Sequence, residues 1–145
     1  MVKICFVCLG NICRSPMAEF VMKSLTREMQ IESRATSSWE HENPIHQGTQ
    51  AIFLRYGIPY DKEKTSQQIS DDDFENFDII IGMDTSNVAD LKAMTSPNYY
   101  DKIVLFADES VPDPWYTGDF EETYERVKSG CEDWLLRLEN RKKNE

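Results

Sequence analysis

A cysteine and an arginine separated by five residues flank a short polar loop near the start of the chain. The segment reads Cys8-Leu9-Gly10-Asn11-Ile12-Cys13-Arg14-Ser15. Backbone N–H groups in such a loop, together with the N-terminus of a following helix, form a nest for a tetrahedral anion. Arg14 can hold two phosphate oxygens with its planar guanidinium group, and the same donors stabilise a nucleophilic Cys8 thiolate. The pattern predicts attack on a bound phosphate, with these phosphate-binding residues: Leu9, Gly10, Asn11, Ile12, Cys13 and Ser15.

The residue types in and after the loop fit this chemistry. Gly10 lets the chain approach a ligand closely, and Asn11 tolerates the left-handed backbone region better than most residues. Ser15 is predicted to be the N-cap of the following helix, with Pro16 at the first helical position, where a missing N–H costs nothing. The Ser15 hydroxyl is also placed to donate to the Cys8 sulfur, and the two roles are compatible.

An aspartate between two prolines is the candidate general acid. Asp113 lies in the segment Val111-Pro112-Asp113-Pro114-Trp115-Tyr116. A phenol oxygen that leaves phosphorus needs a proton, and the prolines restrict the loop that carries this carboxyl group. An Asp-Pro turn is the simpler explanation of the segment taken alone, but the Cys8 loop favours an acid. Asp108 and Glu109 lie nearby without such a setting and are the fallback candidates.

Strand-like and helix-like periodicities alternate along the chain and predict the elements that position these residues. Strands are expected at residues 2–8, 33–37, 78–83 and 102–105, and helices at 16–29, 49–55, after the cap Ser70, at 85–94 and from 120 onward. Such alternation implies an α/β fold of three layers, with helices on both faces of a central parallel four-stranded sheet. Ligands bind beyond the carboxyl ends of the strands in this architecture, so Cys8 and Asp113 are expected at one edge. Residues 1–145 are predicted to form a single domain.

The chain resembles the low-molecular-weight protein tyrosine phosphatases, whose signature is a cysteine, five residues, an arginine and a serine or threonine near the N-terminus. Residues 8–16 match the family loop throughout, Ala18-Glu19 continues it, and Met83-Asp84 and Asp113-Pro114-Trp115-Tyr116 are similar to its later landmarks. The resemblance covers essentially the whole chain. It implies hydrolysis of phosphotyrosine and small aryl phosphates through a phosphocysteine intermediate, with Cys8, Arg14 and Asp113 as the catalytic residues.

The resemblance also implies roles for residues outside the loop. Trp39, Trp115 and Tyr116 are expected to line the crevice and, with Leu9, to flank a phenyl ring. Tyr116 is similar to a residue that is itself phosphorylated in the family. Asp84 resembles a supporting carboxylate that helps to organise the site.

Two features of the resemblance leave alternatives open. Cys13 is similar to a thiol that forms a reversible disulfide with Cys8 and so protects it from over-oxidation, while a small apolar residue in the floor of the loop is the alternative. The family often has a histidine and an arginine just before a Gln-Ile pair, whereas this chain reads Lys64-Thr65-Ser66-Gln67-Gln68-Ile69. The hydrogen bonds that support the site are therefore expected to differ from those of the family.

Charge and composition limit the partners. The chain has 26 acidic and 16 basic side chains and a formal net charge of −10, which argues against nucleic acid or an anionic membrane. Phosphotyrosine-containing proteins and a cognate tyrosine kinase are the expected partners of a monomer or weak dimer. No metal or cofactor is expected, because Arg14 and the loop amides supply positive charge and the two histidines, His41 and His46, are predicted to be surface residues of one polar segment.

The N-terminal apolar run is too short for a signal peptide, and four cysteines in a chain of this length indicate reduced thiols rather than a disulfide framework. A cytoplasmic protein is therefore expected.

Three other classes of protein are weighed against a phosphatase. A thioredoxin-coupled arsenate reductase resembles this fold and loop but uses two further cysteines near mid-chain, and none lies between Cys13 and Cys131. A catalytically silent phosphotyrosine-binding module would not need Cys8, Arg14 and Asp113 together. A generic redox or anion-binding α/β domain is the third alternative. All three fit the sequence less well than the phosphatase.

Overall fold

Four parallel strands form one sheet in the order β2-β1-β3-β4. The computed structural model describes residues 1–143, so the last two residues of the predicted domain lie outside the described part. The strands are β1 (Val2–Cys8), β2 (Met29–Ala35), β3 (Ile79–Gly82) and β4 (Ile103–Leu105). The helices are α1 (Arg14–Leu25), α2 (Gln47–Tyr56), α3 (Asp71–Asn76), α4 (Thr85–Ala93), α5 (Pro114–Thr117) and α6 (Phe120–Lys143), with a 3-10 helix at Pro97–Lys102.

Helices cover both faces of the sheet, because β1 is apolar on both sides. Ile4 and Phe6 of β1 pack in the core that contains the buried residues of α1 and α6. Cys5 and Val7, which point to the opposite face, pack with buried residues of α3 and α4. A strand that is buried on both faces reads as a continuous apolar run. The predicted three-layer α/β fold with a parallel four-stranded sheet is confirmed.

The strand order brings three loops to one edge of the sheet. The chain passes from β1 to β2 on one side of β1 and then crosses to β3 on its other side, which makes a topological switch point beside β1. Crevices at the carboxyl ends of strands near such a point are the usual ligand sites of open α/β sheets. Cys8 is the last residue of β1, and the loops after β3 and β4 carry Asp84 and Asp113, respectively.

The start and the end of α1 differ from the prediction. The helix begins at Arg14, its N-cap is Cys13, and no side chain caps it. The Ser15 hydroxyl lies instead 3.0 Å from the Cys8 sulfur, so of its two predicted roles the capping role is wrong. At the other end, Thr26 has an extended backbone, and Met29 starts β2 rather than ending the helix, because residues 29–35 pair in register with β1. Strand pairing overrides the weak helical preference of this segment.

The second strand, predicted at residues 33–37, begins four residues earlier, at Met29, and the other predicted elements agree with the structure to within about two residues. Ser70 is the N-cap of α3 as predicted, and it forms a capping box with Asp73. Gly57 ends α2 in the left-handed conformation. Among residues 1–143, none of the helices is both long enough and apolar enough to cross a bilayer.

Candidate active site

The loop between β1 and α1 folds around the Cys8 sulfur. The Asn11 backbone N–H donates to Cys8 Sγ at 3.2 Å, and Ser15 Oγ lies 3.0 Å from the same sulfur. Asn11 adopts the left-handed conformation with φ = 56°, as its residue type predicts. A Cβ atom at Gly10 would lie 3.3 Å from the Glu40 side chain, which would have to shift by only a few tenths of an ångström. The buried thiol of Cys8 thus has one backbone donor and one hydroxyl beside it.

A chain of hydrogen bonds behind the loop determines the direction of the Ser15 hydroxyl. The Asn11 side-chain oxygen accepts from the Gln67 N–H at 3.2 Å, so its NH2 group must face the two serines. That group donates to Ser15 Oγ at 2.8 Å and to Ser33 Oγ at 2.9 Å, and Ser33 donates to the Glu19 carboxylate at 2.6 Å. Ser15 Oγ already accepts a hydrogen bond, so its own proton is available to the Cys8 sulfur, since the other acceptor, the Arg34 carbonyl, is 3.5 Å away.

Two lysines pair with Glu19, the last residue in this series of hydrogen bonds. Glu19 is buried, and its carboxylate lies 2.6 Å from Lys23 Nζ and 3.4 Å from Lys64 Nζ. Lys64 also donates to the Ser33 carbonyl at 3.0 Å. From the same segment, the Ser66 hydroxyl donates to the Gly10 carbonyl at 2.7 Å. The segment that departs from the family pattern therefore supports the loop through Lys64, Ser66 and the Gln67 backbone.

Arg14 joins the Cys8 loop to two aspartates. Its guanidinium, 3% exposed, donates from Nη1 to Asp84 Oδ2 at 2.7 Å and from Nη2 to Asp113 Oδ2 at 3.4 Å. Nη1 also donates to the Val111 carbonyl at 3.0 Å. Burial by itself lowers the pKa of Arg14, but the charges of Cys8, Asp84 and Asp113 outweigh burial and raise it. The guanidinium is thus a permanent, fixed cation beside the thiol.

Each of the two aspartates also caps a helix. Asp84 is the N-cap of α4, where its Oδ1 accepts from the Asn87 N–H at 2.7 Å. Asp113 is the N-cap of α5, where its Oδ1 accepts from the Trp115 N–H at 3.0 Å. In both cases one oxygen holds the helix and the other faces Arg14, so the local fold aims each carboxylate at the guanidinium.

A cavity of about 260 Å³ opens above Cys8. The loop forms its floor, and the aromatic side chains at its mouth are exposed: Trp39, Trp115 and Tyr116. The structure brings these predicted residues together around the cavity: Cys8, Leu9, Gly10, Asn11, Ile12, Cys13, Trp39, Asp113, Trp115 and Tyr116. Arg14, Ser15 and Asp84 do not line the cavity. Arg14 and Ser15 contact the lining residues Asp113 and Cys8, and Asp84 holds Arg14.

The second thiol of the loop, Cys13, lines the same cavity as Cys8. Burial raises the pKa of the Cys13 thiol, and the nearby charges of Cys8 and Asp113 raise it further. The four cysteines are buried free thiols. Cys13 is thus a protonated thiol at neutral pH, next to the sulfur that the loop surrounds.

Several residues of the site were not predicted. The predicted surface position of His46 is wrong: its ring is half-buried, caps α2 and stacks on Phe120, whereas His41 is exposed as predicted. Glu40 lines the cavity. Ser33 and Lys64 belong to the series of hydrogen bonds and ion pairs that runs from Asn11 to Glu19. Glu19 is the sequence signal for this series of contacts, because it is a carboxylate among the apolar residues of a helix. Buried carboxylates are almost always paired, so partners for Glu19 could have been expected. No comparable signal marks Glu40.

Within residues 1–143, no group of three or more histidine, cysteine, aspartate and glutamate side chains is suited to hold a metal ion. Three charged groups of the site, Arg14, Asp84 and Asp113, pair with one another.

Residues 3–144 match the family model described as low molecular weight phosphotyrosine protein phosphatase. The crystal structure of SP-PTP, a low molecular weight protein tyrosine phosphatase from Streptococcus pyogenes, is 63% identical in sequence and superposes with a TM-score of 0.94 over 95% of this chain and 93% of that one. The crystal structure of YfkJ from Bacillus subtilis is 39% identical, with a TM-score of 0.90 over 98% of this chain and 97% of that one. The low molecular weight protein-tyrosine-phosphatase PtpA of Staphylococcus saprophyticus is 44% identical over 93% of this chain and 92% of its own length.

Proposed function

Because the chain belongs to the low molecular weight phosphotyrosine protein phosphatase family, we propose that it hydrolyses phosphotyrosine in proteins, and small aryl phosphates, through a phosphocysteine intermediate and without a metal ion. The observation that carries this proposal is the setting of the Cys8 sulfur. It lies between the Asn11 N–H and the Ser15 hydroxyl, at the floor of a cavity that Asp113 also lines.

In the first step, the Cys8 thiolate attacks phosphorus opposite the phenolic oxygen. The S–P bond forms as the P–O bond to the aromatic ring breaks, and Asp113 transfers its proton to the leaving oxygen, which departs as a phenol. Arg14 and the amides at the start of α1 hold the oxygens of the transferred group. The contact between Arg14 Nη2 and Asp113 Oδ2 supports these roles, because it places the proposed phosphate ligand beside the proposed acid.

In the second step, water hydrolyses the phosphocysteine. Asp113, now a carboxylate, takes a proton from the water as its oxygen attacks phosphorus. The S–P bond breaks, inorganic phosphate forms and the Cys8 thiolate is regenerated. The Ser15 hydroxyl supports this thiolate as a leaving group, because its free proton can be donated to the sulfur.

The charges that the chain itself supplies support metal independence. Phosphoryl transfer needs cations around the transferred group, and Arg14 with the N-terminus of α1 occupies that position. A phenyl ring is accommodated by the exposed aromatic side chains of Trp39, Trp115 and Tyr116 at the mouth of the cavity. Aromatic rings stack favourably in such a slot.

We further propose that Cys13 protects Cys8 from over-oxidation. Peroxide oxidises the Cys8 thiolate to a sulfenic acid, the Cys13 thiol then displaces water from it to form a disulfide, and a thiol reductant restores both thiols. The position of both cysteines at one cavity supports the exchange.

We place the enzyme in the cytoplasm, where thiols are kept reduced. Its proposed partners are phosphotyrosine-containing proteins and a cognate tyrosine kinase, for which the exposed Tyr116 is accessible. The chain acts as a monomer or weak dimer, since one chain carries every residue that the two steps use.

The decisive experiment is steady-state hydrolysis of p-nitrophenyl phosphate and a phosphotyrosine peptide in excess chelator, comparing the native chain with Cys8→Ser. Activity that survives chelation and is lost in the variant is the expected result. No turnover by the reduced native protein, with tight phosphopeptide binding, would favour a binding module instead. Thioredoxin-dependent reduction of arsenate would favour an arsenate reductase.

A further inference from the structure

His46 connects the Cys8 loop to the segment that carries Asp113. Its backbone N–H donates to the Ile12 carbonyl at 2.8 Å, which ties it to the floor of the cavity. Its ring meets the Trp115 ring edge to face, with centroids 5.7 Å apart and an interplanar angle of 82°. Trp115 is two residues beyond Asp113, so a single residue contacts both halves of the site.

The His46 ring is held in one orientation. Its Nδ1 accepts from the Gly48 N–H at 2.9 Å at the start of α2. The ring also stacks on the Phe120 ring, with centroids 5.1 Å apart and an interplanar angle of 22°. Phe120 in turn lies against Gly48, where a Cβ atom would approach within 2.4 Å of that ring. These contacts make the ring a rigid surface for Trp115.

The Asp113 segment needs such a surface, because it has little structure of its own. Helix α5 has four residues, and a helix that short has no independent stability in water. Trp115 is 56% exposed, so little packing holds its side chain in place. The Trp115 N–H is nevertheless the donor that fixes Asp113 Oδ1. The position of Trp115, together with the contact of Arg14 Nη2 to Oδ2, therefore sets where the Asp113 carboxyl points.

We propose that His46 is a positioning residue for the proton donor Asp113, acting through the ring of Trp115. This inference rests on the proposed function and assigns His46 no contact with the substrate. The consequence is specific: loss of the ring impairs proton transfer to the leaving group and leaves the phosphate site intact.

Two variants separate the ring of His46 from its role as a helix cap. His46→Asn keeps a side-chain acceptor, since asparagine is a favourable N-cap residue, but it removes the ring. His46→Phe keeps a ring and removes the acceptor. Both are assayed by kcat/KM with phenyl phosphate, whose leaving group needs a proton, and with p-nitrophenyl phosphate, whose leaving group needs it much less. The ratio kcat/KM reports the step in which the leaving group departs, and inhibition by inorganic phosphate reports the phosphate site.

We expect His46→Asn to lower kcat/KM for phenyl phosphate about tenfold, a part of the roughly 10²–10⁴-fold that a positioned acid contributes. Activity with p-nitrophenyl phosphate and inhibition by phosphate should change less than twofold. His46→Phe should keep the native ratio between the two substrates but have a lower Tm. In an Asp113→Asn background, His46→Asn should have no further effect, because residues that act through one group are not additive.

Equal loss on both substrates, or a loss that persists in the Asp113→Asn background, would overturn the inference. So would native selectivity in His46→Asn combined with altered selectivity in His46→Phe. Failure of the native chain to hydrolyse either substrate is a different result, since it contradicts the proposed function itself.

Discussion

Arg14 and Asp113 form an ion pair at 3.4 Å in the free site, while Asp84 holds the other terminal nitrogen of the guanidinium at 2.7 Å. The shorter contact belongs to the aspartate that does not line the cavity, and the longer one to the aspartate that does. A phosphate that enters the cavity therefore competes with Asp113 for Nη2, whereas Asp84 keeps Nη1 and the orientation of the group. In the proposed mechanism, substrate binding and release of the proton donor Asp113 are therefore coupled through Arg14.

The first prediction concerns Asp113→Asn, which retains a capping side chain for α5 but has no proton to give and no charge. We expect kcat/KM for phenyl phosphate to fall by about 10²–10⁴-fold. Inhibition by inorganic phosphate should strengthen about two- to fivefold, because a partly exposed carboxylate no longer competes for Arg14. Asp108→Asn is the matched control, and an equal loss in that variant would move the acid to Asp108.

The second prediction concerns the hydroxyl beside the nucleophile. Ser15→Ala removes the side-chain donor to Cys8 Sγ and should slow alkylation of Cys8 by iodoacetate at neutral pH about tenfold, since charge-assisted hydrogen bonds contribute about 1.5–3 kcal/mol. Ser15→Thr keeps the hydroxyl and should react nearly as the native chain does. Equal alkylation rates in the native and alanine proteins would show that Ser15 Oγ does not support the thiolate.

The third prediction tests Lys64, which lies in the segment that departs from the family pattern. Lys64→Met leaves the buried Glu19 carboxylate with Lys23 and the Ser33 hydroxyl as partners. We expect the free energy of unfolding to fall by about 1–3 kcal/mol, less than the 3–5 kcal/mol typical when a buried ion pair loses its one partner. Denaturant titration measures this change. Lys62→Met, at an exposed position two residues away, is the control and should lie within about 0.5 kcal/mol of the native protein.

The fourth prediction follows from the raised pKa of the Cys13 thiol. A raised pKa keeps Cys13 protonated and unreactive at neutral pH, so one equivalent of iodoacetate should label Cys8 alone, and Cys13 should begin to react only as pH rises well above neutrality. Mass spectrometry of the labelled peptides measures the order of reaction.

A second part of the fourth prediction concerns the redox behaviour of Cys13. After mild peroxide treatment and reduction, the native enzyme should recover its activity, while Cys13→Ser should not, because its Cys8 proceeds to irreversible oxidation states. Cys5→Ser, outside the cavity, is the control. Equal recovery in all three proteins would favour a purely structural role for Cys13.

The fifth prediction concerns Glu40, the carboxylate at the mouth of the cavity that sequence reasoning missed. It lies close enough to raise the pKa of Cys13 and so opposes the entry of a phosphate dianion. Glu40→Gln should raise kcat/KM for p-nitrophenyl phosphate about two- to fivefold at low salt, as expected for a charge at the rim of a site, and added salt should reduce the difference. Glu42→Gln is the control, since Glu42 is exposed and does not line the cavity. A lower kcat/KM in Glu40→Gln would contradict this repulsion.

Much of the architecture was predictable because its causes are local. The apolar run of residues 2–8 reads as a buried parallel strand, Ser70 reads as a cap, and Cys8, Asn11 and Arg14 have the types and spacing of an anion-binding loop. The predictions were wrong where a tertiary contact outweighed the local preference of a residue. Ser15 looks like an N-cap, yet its hydroxyl faces Cys8. The first helix was predicted to extend to Met29, yet it ends at Leu25, and Met29 pairs with β1.

The sequence by itself indicated which residues are candidates for the chemistry, because an anion-binding loop takes its thiol, its backbone amides and its arginine from one short segment of the chain. It also determined the three-layer fold, because alternating periodicities allow few other arrangements. Only the tertiary structure decided how these groups are oriented. The strand order brings Gln67 to Asn11 and Ser33 between Asn11 and Glu19, and the packing of α2 against α6 places His46 beside Trp115. These partners are far apart in sequence, and a hydrogen bond or ring contact between distant residues exists only once the folded chain has brought them within a few ångströms.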